Sequence, residues 1–214
     1  MDYFASVLLL TRRDISQLGI RDPYALHKVV YSLFNDIRST EDKRKGASSG
    51  ILFSDEGGDF HRRKIILLSN RKPKNNIEGE FGEVRSKKIK TEFLSFEYYR
   101  FKIIINPTKR CNHSKKIVPI KGEEEIANWF SYRAKKNWGF EVEPRRLRVD
   151  KPRVLQFTGK EQRQITLAQV PIYGSLKVLD REKFKFGFQR GLGRGKAFGC
   201  GLLQIAPQVE EIFN

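Results

Sequence analysis

From Asp22 the chain reads Asp-Pro-Tyr-Ala-Leu-His-Lys-Val-Val-Tyr. Asp followed by Pro marks a helix start, with Asp as the cap and Pro in the first turn. On such a helix Tyr24, His27, Lys28 and Tyr31 recur at i, i+3, i+4 and i+7 and share one face. A phenol, an imidazole and an ammonium group on one face can transfer protons. The same spacing also fits a histidine at the edge of a core, and residue types alone leave both readings open.

A second group lies near the other end. Residues 191–201 read Gly-Leu-Gly-Arg-Gly-Lys-Ala-Phe-Gly-Cys-Gly, with five glycines and two basic residues. Glycine admits positive φ and lets the main chain approach a ligand, so successive N–H groups can cradle phosphate. Gly191, Gly193, Arg194, Gly195 and Lys196 are candidate contacts. A flexible turn is the plainer reading. The run lacks the Gly-Lys-Ser/Thr of a P-loop, and it follows a helix, which excludes a dinucleotide loop.

A third group is the basic run Arg145, Arg146, Arg148 and Arg153, continuing at Lys160 and Arg163. It is predicted on a hairpin, where alternation would put Arg146 and Arg148 on one face to grip phosphates; a solvated face is the alternative. His61 and His113 have basic neighbours and read as RNA contacts or plain surface. No His, Cys, Asp or Glu cluster has ligand spacing, so no metal or cofactor is expected.

The elements that position these groups follow from periodicity. Tyr3 to Leu10 reads as a strand. The helix after Asp22 buries Leu26, Val29, Val30, Leu33, Phe34 and Ile37. Ile51–Phe53 and Lys64–Ser69 read as strands, 70–82 as irregular chain, and Val84–Leu94 as a further strand. This is a ferredoxin-like βαββαβ unit that has lost its second helix. A strand over Ser95–Ile105, a helix over Glu123–Trp138 ended by Gly139, strands around 142–149, 154–157 and 165–178, a helix over 180–190 and a strand over 202–205 make a second unit. The expected fold is α+β: two tandem ferredoxin-like domains, 1–92 with the histidine helix and 93–214 with the basic hairpin and glycine-rich loop, and a cleft between them.

Lys and Arg number 42 against 25 Asp and Glu in 214 residues, a net charge of +17. Such a chain attracts polyanions, above all nucleic acid. No long basic amphipathic helix suggests a membrane surface, and the apolar N-terminus is too short to span a bilayer. Cys111 and Cys200 have no CxxC spacing and read as free thiols, which predicts a cytoplasmic protein. If carboxylates do not hold catalytic metals, a nuclease must use the RNA's own 2′-hydroxyl, aided by a base, an acid and a cation.

Four segments resemble the CasE-type CRISPR repeat endonucleases: "DPYALHKVVYSLF", "FKIIINPTKR", "VPIKGEEEIANWF" and "GLGRGKAFGCGLLQIAP". The glycine signature is shared by related repeat-processing proteins; the helix motif and middle segments narrow the choice. The resemblance implies metal-independent cleavage at the 3′ base of a CRISPR repeat hairpin, leaving a 2′,3′-cyclic phosphate and a 5′-hydroxyl. It implies retention of the product and partnership with other subunits of a CRISPR surveillance complex. His27 takes the place of the catalytic histidine, as base or acid, and Tyr24 that of its aromatic partner. Position 32 is Ser, so Lys28 is the candidate cation. The rival readings are a non-catalytic RNA-binding module and a structural ribonucleoprotein subunit.

Overall fold

The computed structural model describes residues 2–44, 47–159 and 162–208. Its first half is built from β1 (Phe4–Thr11), α1 (Arg12–Gln17), α2 (Pro23–Ser32), α3 (Thr40–Arg44), β2 (Ile51–Gly58), β3 (Arg62–Ser69) and β4 (Glu83–Lys88). The strands form one antiparallel sheet in the order β2-β3-β1-β4, the ferredoxin-like order. The helix that would precede β4 is replaced by irregular chain, where the buried Ile77 plugs the core that also takes Leu26, Val29 and Val30 of α2.

Ile51 to Ser54 are buried without a break, as a strand covered on both faces must be. Phe53 faces the α2 core, whereas Leu52 and Leu68 face the second half of the chain. The first sheet therefore lies between its own helix and its partner domain.

The second half comprises β5 (Tyr98–Ile105), β6 (Thr108–Arg110), β7 (Ile117–Pro119), α4 (Glu123–Arg133), β8 (Phe140–Glu141), β9 (Arg148–Val149), β10 (Arg153–Thr158), β11 (Gln164–Val178), α5 (Arg181–Arg190) and β12 (Gln204–Pro207). Its sheet runs β10-β11-β5-β12, with β8 and β9 also paired to β11. Tyr99 and Phe101 of β5 pack with Phe130 of α4, Phe140 and Phe184 of α5. Trp129 and Trp138 border this same core, 6.3 Å apart. Two ferredoxin-like sheets in tandem thus make up the fold, as the sequence leads one to expect.

A polar contact also joins the halves. The Glu56 carboxylate on β2 pairs with the Lys102 ammonium on β5 and accepts hydrogen bonds from Gln204 and Ser54, each at 2.7 Å.

The helix expected over Glu123–Trp138 spans that length, passing from α to π at Ala134 and ending at left-handed Gly139. Three expectations need correction. Ile37 is 66% exposed, because α2 ends at Ser32 and the apolar stripe ends with the turn that follows. The strand predicted over Val84–Leu94 stops at Lys88, and Thr91–Leu94 form a 3-10 turn. Arg145 and Arg146 are not on a hairpin: Pro144 starts a 3-10 turn that contains both, and the hairpin proper is β10–β11.

Candidate active site

Asp22 caps α2 through a 2.7 Å hydrogen bond from the Ala25 N–H, with Pro23 in the first turn. The helix buries Leu26, Val29 and Val30 and so turns His27 toward the second domain. There the glycine-rich loop meets it: His27 Nδ1 lies 2.9 Å from the Ala197 carbonyl oxygen. A carbonyl can only accept, so Nδ1 carries the hydrogen. In the neutral ring Nε2 then keeps its lone pair.

Aromatic rings enclose the imidazole. Tyr31 is 4.1 Å away between centroids, Phe198 5.9 Å, and Tyr24 6.2 Å and nearly parallel. Tyr31 is held in turn by its hydroxyl, 2.9 Å from Ser49 Oγ. Lys28 places its ammonium 4.6 Å above the Tyr24 ring. Tyr24, His27 and Lys28 are thus gathered as the helix spacing requires. Burial lowers the pKa of His27 from its ordinary value, and the charges of Arg38 and Lys28 act in the same direction. The hydrogen bond to Ala197 opposes them.

The loop is shaped to make this contact. Lys196–Phe198 form a single 3-10 turn between two left-handed glycines, Gly195 and Gly199. At Gly195 φ is +82°, and a Cβ would come within 2.9 Å of Leu167 Cδ1. At Gly201 φ is +84°, and a Cβ would collide with the Leu192 carbonyl. Gly191 and Gly193 belong to the same loop, where Arg194 bridges Asn106 of the second sheet through the main chain. Lys196 Nζ donates to the Arg190 carbonyl at 2.8 Å, turned back on its own loop.

The remaining basic candidates are spread out. Arg146 pairs with Glu143 at 2.9 Å, and Arg148 pairs with Asp150 at 3.0 Å and lies 4.3 Å over the Tyr173 ring. Arg145 is exposed in the same turn, Arg153 begins β10, and Arg163 lies between β10 and β11. Lys160 falls outside the described residues. Among the described residues no three of His, Cys, Asp and Glu gather as ligands for one ion. Nor is any helix long and apolar enough to cross a membrane.

Sequence reasoning missed Ala197 as the partner of His27, and Ser49 and Arg38 as its surroundings. A backbone acceptor has no side-chain signature. Only the glycines around residues 196–198 signalled that this turn has a shape to keep.

A tandem pair of ferredoxin-like sheets with a histidine latched across their junction defines the class. The family model for CRISPR associated proteins matches residues 3–207, and the chain belongs to that family. A curated relative, the CRISPR-associated endoribonuclease Cse3 of Thermus thermophilus, is 32% identical over 118 residues. That match spans 50% of this chain and about half, 55%, of the relative. The structure of Thermus thermophilus Cse3 bound to an RNA representing a pre-cleavage complex superposes with a TM-score of 0.78 at 21% identity, covering 97% of this chain and all of the other. A chain of a CRISPR RNA-guided surveillance complex, pre-nicking, gives a TM-score of 0.68 at 20% identity, covering 96% of this chain and all of the other. At these identities the likeness establishes a shared fold.

Proposed function

We propose that this chain is an endoribonuclease that cuts CRISPR repeat transcripts at the 3′ base of the repeat hairpin and keeps the product. The observation that carries this reading is the hydrogen bond from His27 Nδ1 to Ala197, which leaves Nε2 free as a base. Family membership and the activity named for the Thermus thermophilus relative support it.

In this mechanism Nε2 takes the proton of the 2′-hydroxyl beside the scissile phosphate. The 2′-oxygen attacks phosphorus, the bond to the 5′-oxygen breaks, and that oxygen takes a proton from water. The products are a 2′,3′-cyclic phosphate and a 5′-hydroxyl. Lys28, exposed beside Tyr24, counters the charge that develops on the phosphoryl oxygens. Tyr24 offers its ring to the nucleotide at the cut. No step of this proposed mechanism calls on a metal.

The domains are 1–92 and 93–214. Arg145, Arg146, Arg148, Lys160 and Arg163 hold the stem, Arg153 contacts the RNA beside it, and Gly191, Gly193, Arg194, Gly195 and Lys196 lie against RNA near the cut. The reading extends to assembly with other surveillance-complex subunits, in the manner of the complex whose chain shares this fold, and to work in the cytoplasm.

The test is a single-turnover assay on a repeat hairpin in EDTA. Wild type should make one cut, a 2′-deoxy substitution at the cut should abolish it, and His27→Ala should bind the hairpin with nearly unchanged affinity yet fail to cut. Cleavage by His27→Ala at the wild-type rate would sink the assignment, and so would an absolute need for Mg²⁺.

A further inference from the structure

The hairpin joining β2 and β3 carries residues that the proposed cleavage leaves idle. β2 bulges between Asp55 and Gly58, and bulges re-aim the residues beside them. At the tip stand Asp59, Phe60 and His61. Phe60 is 69% exposed. The Arg12 guanidinium lies over its ring, 4.1 Å from the centroid, and the His61 ring stands nearly perpendicular to it, 5.4 Å away between centroids. Most of the ring still meets solvent.

Next to this ring is a hollow of about 300 Å³ lined by Arg12, Asp55, His61, Arg62, Arg63 and Arg153. Its acidic members are already engaged. Asp55 is held by Arg63 through two contacts, at 3.2 and 2.6 Å, and Asp59 accepts the N–H groups of His61 and Arg62, each at 2.8 Å. Arg153 has no ion-pair partner among the described residues. Arg63 and Arg153 also line a second, smaller hollow that reaches Arg21 and Phe198. Phe198 is the ring 5.9 Å from His27. The two hollows share Asp55, Arg63 and Arg153, and the second is bounded by Phe198, the neighbour of His27.

The geometry points to a subsite for unpaired RNA along these two hollows: a nucleobase stacks on the exposed ring of Phe60, and its neighbouring phosphates pass Arg63 and Arg153 toward His27. Bases inside a stem have both faces covered by their neighbours, so such a ring favours an unpaired base. Aromatic platforms interleaved with arginine are how proteins hold single strands without reading their sequence. The ligand is the unpaired segment that flanks the hairpin, which rests on the reading of His27 as the cleaving residue. Specificity for the hairpin would then include a demand for unpaired chain beside it.

The experiment measures equilibrium binding of the full chain to two RNAs by gel shift. One is an oligouridine, which does not fold, and the other is a blunt stem-loop with no unpaired flanks. Phe60→Ala should weaken oligouridine binding roughly ten- to hundredfold, the worth of one stacked base. Phe60→Trp should restore it, and Arg153→Ala should weaken it independently. The blunt stem-loop should bind wild type, Phe60→Ala and Phe60→Trp alike. Equal oligouridine affinity in wild type and Phe60→Ala would overturn the subsite, as would an equal loss for both RNAs. If wild type cuts no hairpin at all, the endonuclease reading falls, while the oligouridine comparison still decides the subsite.

Discussion

The Nδ1 nitrogen of His27 and the carbonyl oxygen of Ala197 stand 2.9 Å apart across 170 residues of chain. One belongs to a helix on the first sheet, the other to a turn that precedes the last strand of the second. The contact fixes which imidazole nitrogen carries the hydrogen, so the docking of two domains selects a tautomer.

The rate should therefore depend on pH in one direction. Burial holds the His27 pKa below 6.5, so the ring is neutral and basic from there upward. Single-turnover cleavage should rise with pH through a midpoint below that of an ordinary histidine and then level off. A rate that falls as pH rises through this range would make His27 the acid instead. Stability follows the same group. With the folded pKa depressed, its contribution is full above the unfolded value and is lost as pH falls through the folded one. Wild type should lose urea resistance toward pH 5 more steeply than His27→Gln.

Gly195→Ala tests the loop. A side chain at φ +82°, 2.9 Å from Leu167, must shift the turn that carries Ala197. The expected loss of stability is about 1–3 kcal/mol, from urea midpoints, with a larger proportional loss of cleavage than of hairpin binding. Cleavage that falls only as far as binding would show that the loop holds RNA without orienting His27.

Salt dependence tests the basic run. Arg146 and Arg148 pair with Glu143 and Asp150 on the surface, where such pairs are worth little and can yield to phosphate. Replacing both with Ala should flatten the plot of log affinity against log salt by about two contacts, at roughly 0.7–0.9 each. Parallel plots would show that these arginines only solvate the turn.

The two thiols should differ. Cys200, within the glycine-rich loop, is fully buried, and burial pushes its pKa up to about 12. Cys111 is partly exposed, and hydrogen bonds from Ser114, with others near it, lower its pKa. A disulfide reagent should titrate one thiol in the native protein and the second only in denaturant. Two fast thiols would mean that the loop opens readily.

Much of this was legible in the residues. Asp22-Pro23 announced α2, and its spacing brought Tyr24, His27, Lys28 and Tyr31 together. The apolar runs at Ile51 and Ile65 read as strands, and the structure adds that Ile51–Ser54 are buried without a break. α1 went unread, although Thr11 and Asp14 form the reciprocal cap that a polar pair three apart allows. Alternation misassigned Arg145 and Arg146 because Pro144, a first-turn residue, outweighs a charge pattern. Ala197 was beyond reach, because where a carbonyl points is settled by the glycines and the packing of both domains.

Both tryptophans, Trp129 and Trp138, border the core of the second sheet, and the first domain has none. Intrinsic tryptophan fluorescence is therefore a witness to half of the molecule. It would register melting around Phe130 and Phe140 while remaining silent about β1, α2 and the imidazole they carry. A chain whose first sheet had come apart could still display a native emission maximum, so a thermal curve recorded that way describes the survival of the second domain and leaves the histidine helix to be followed by another signal.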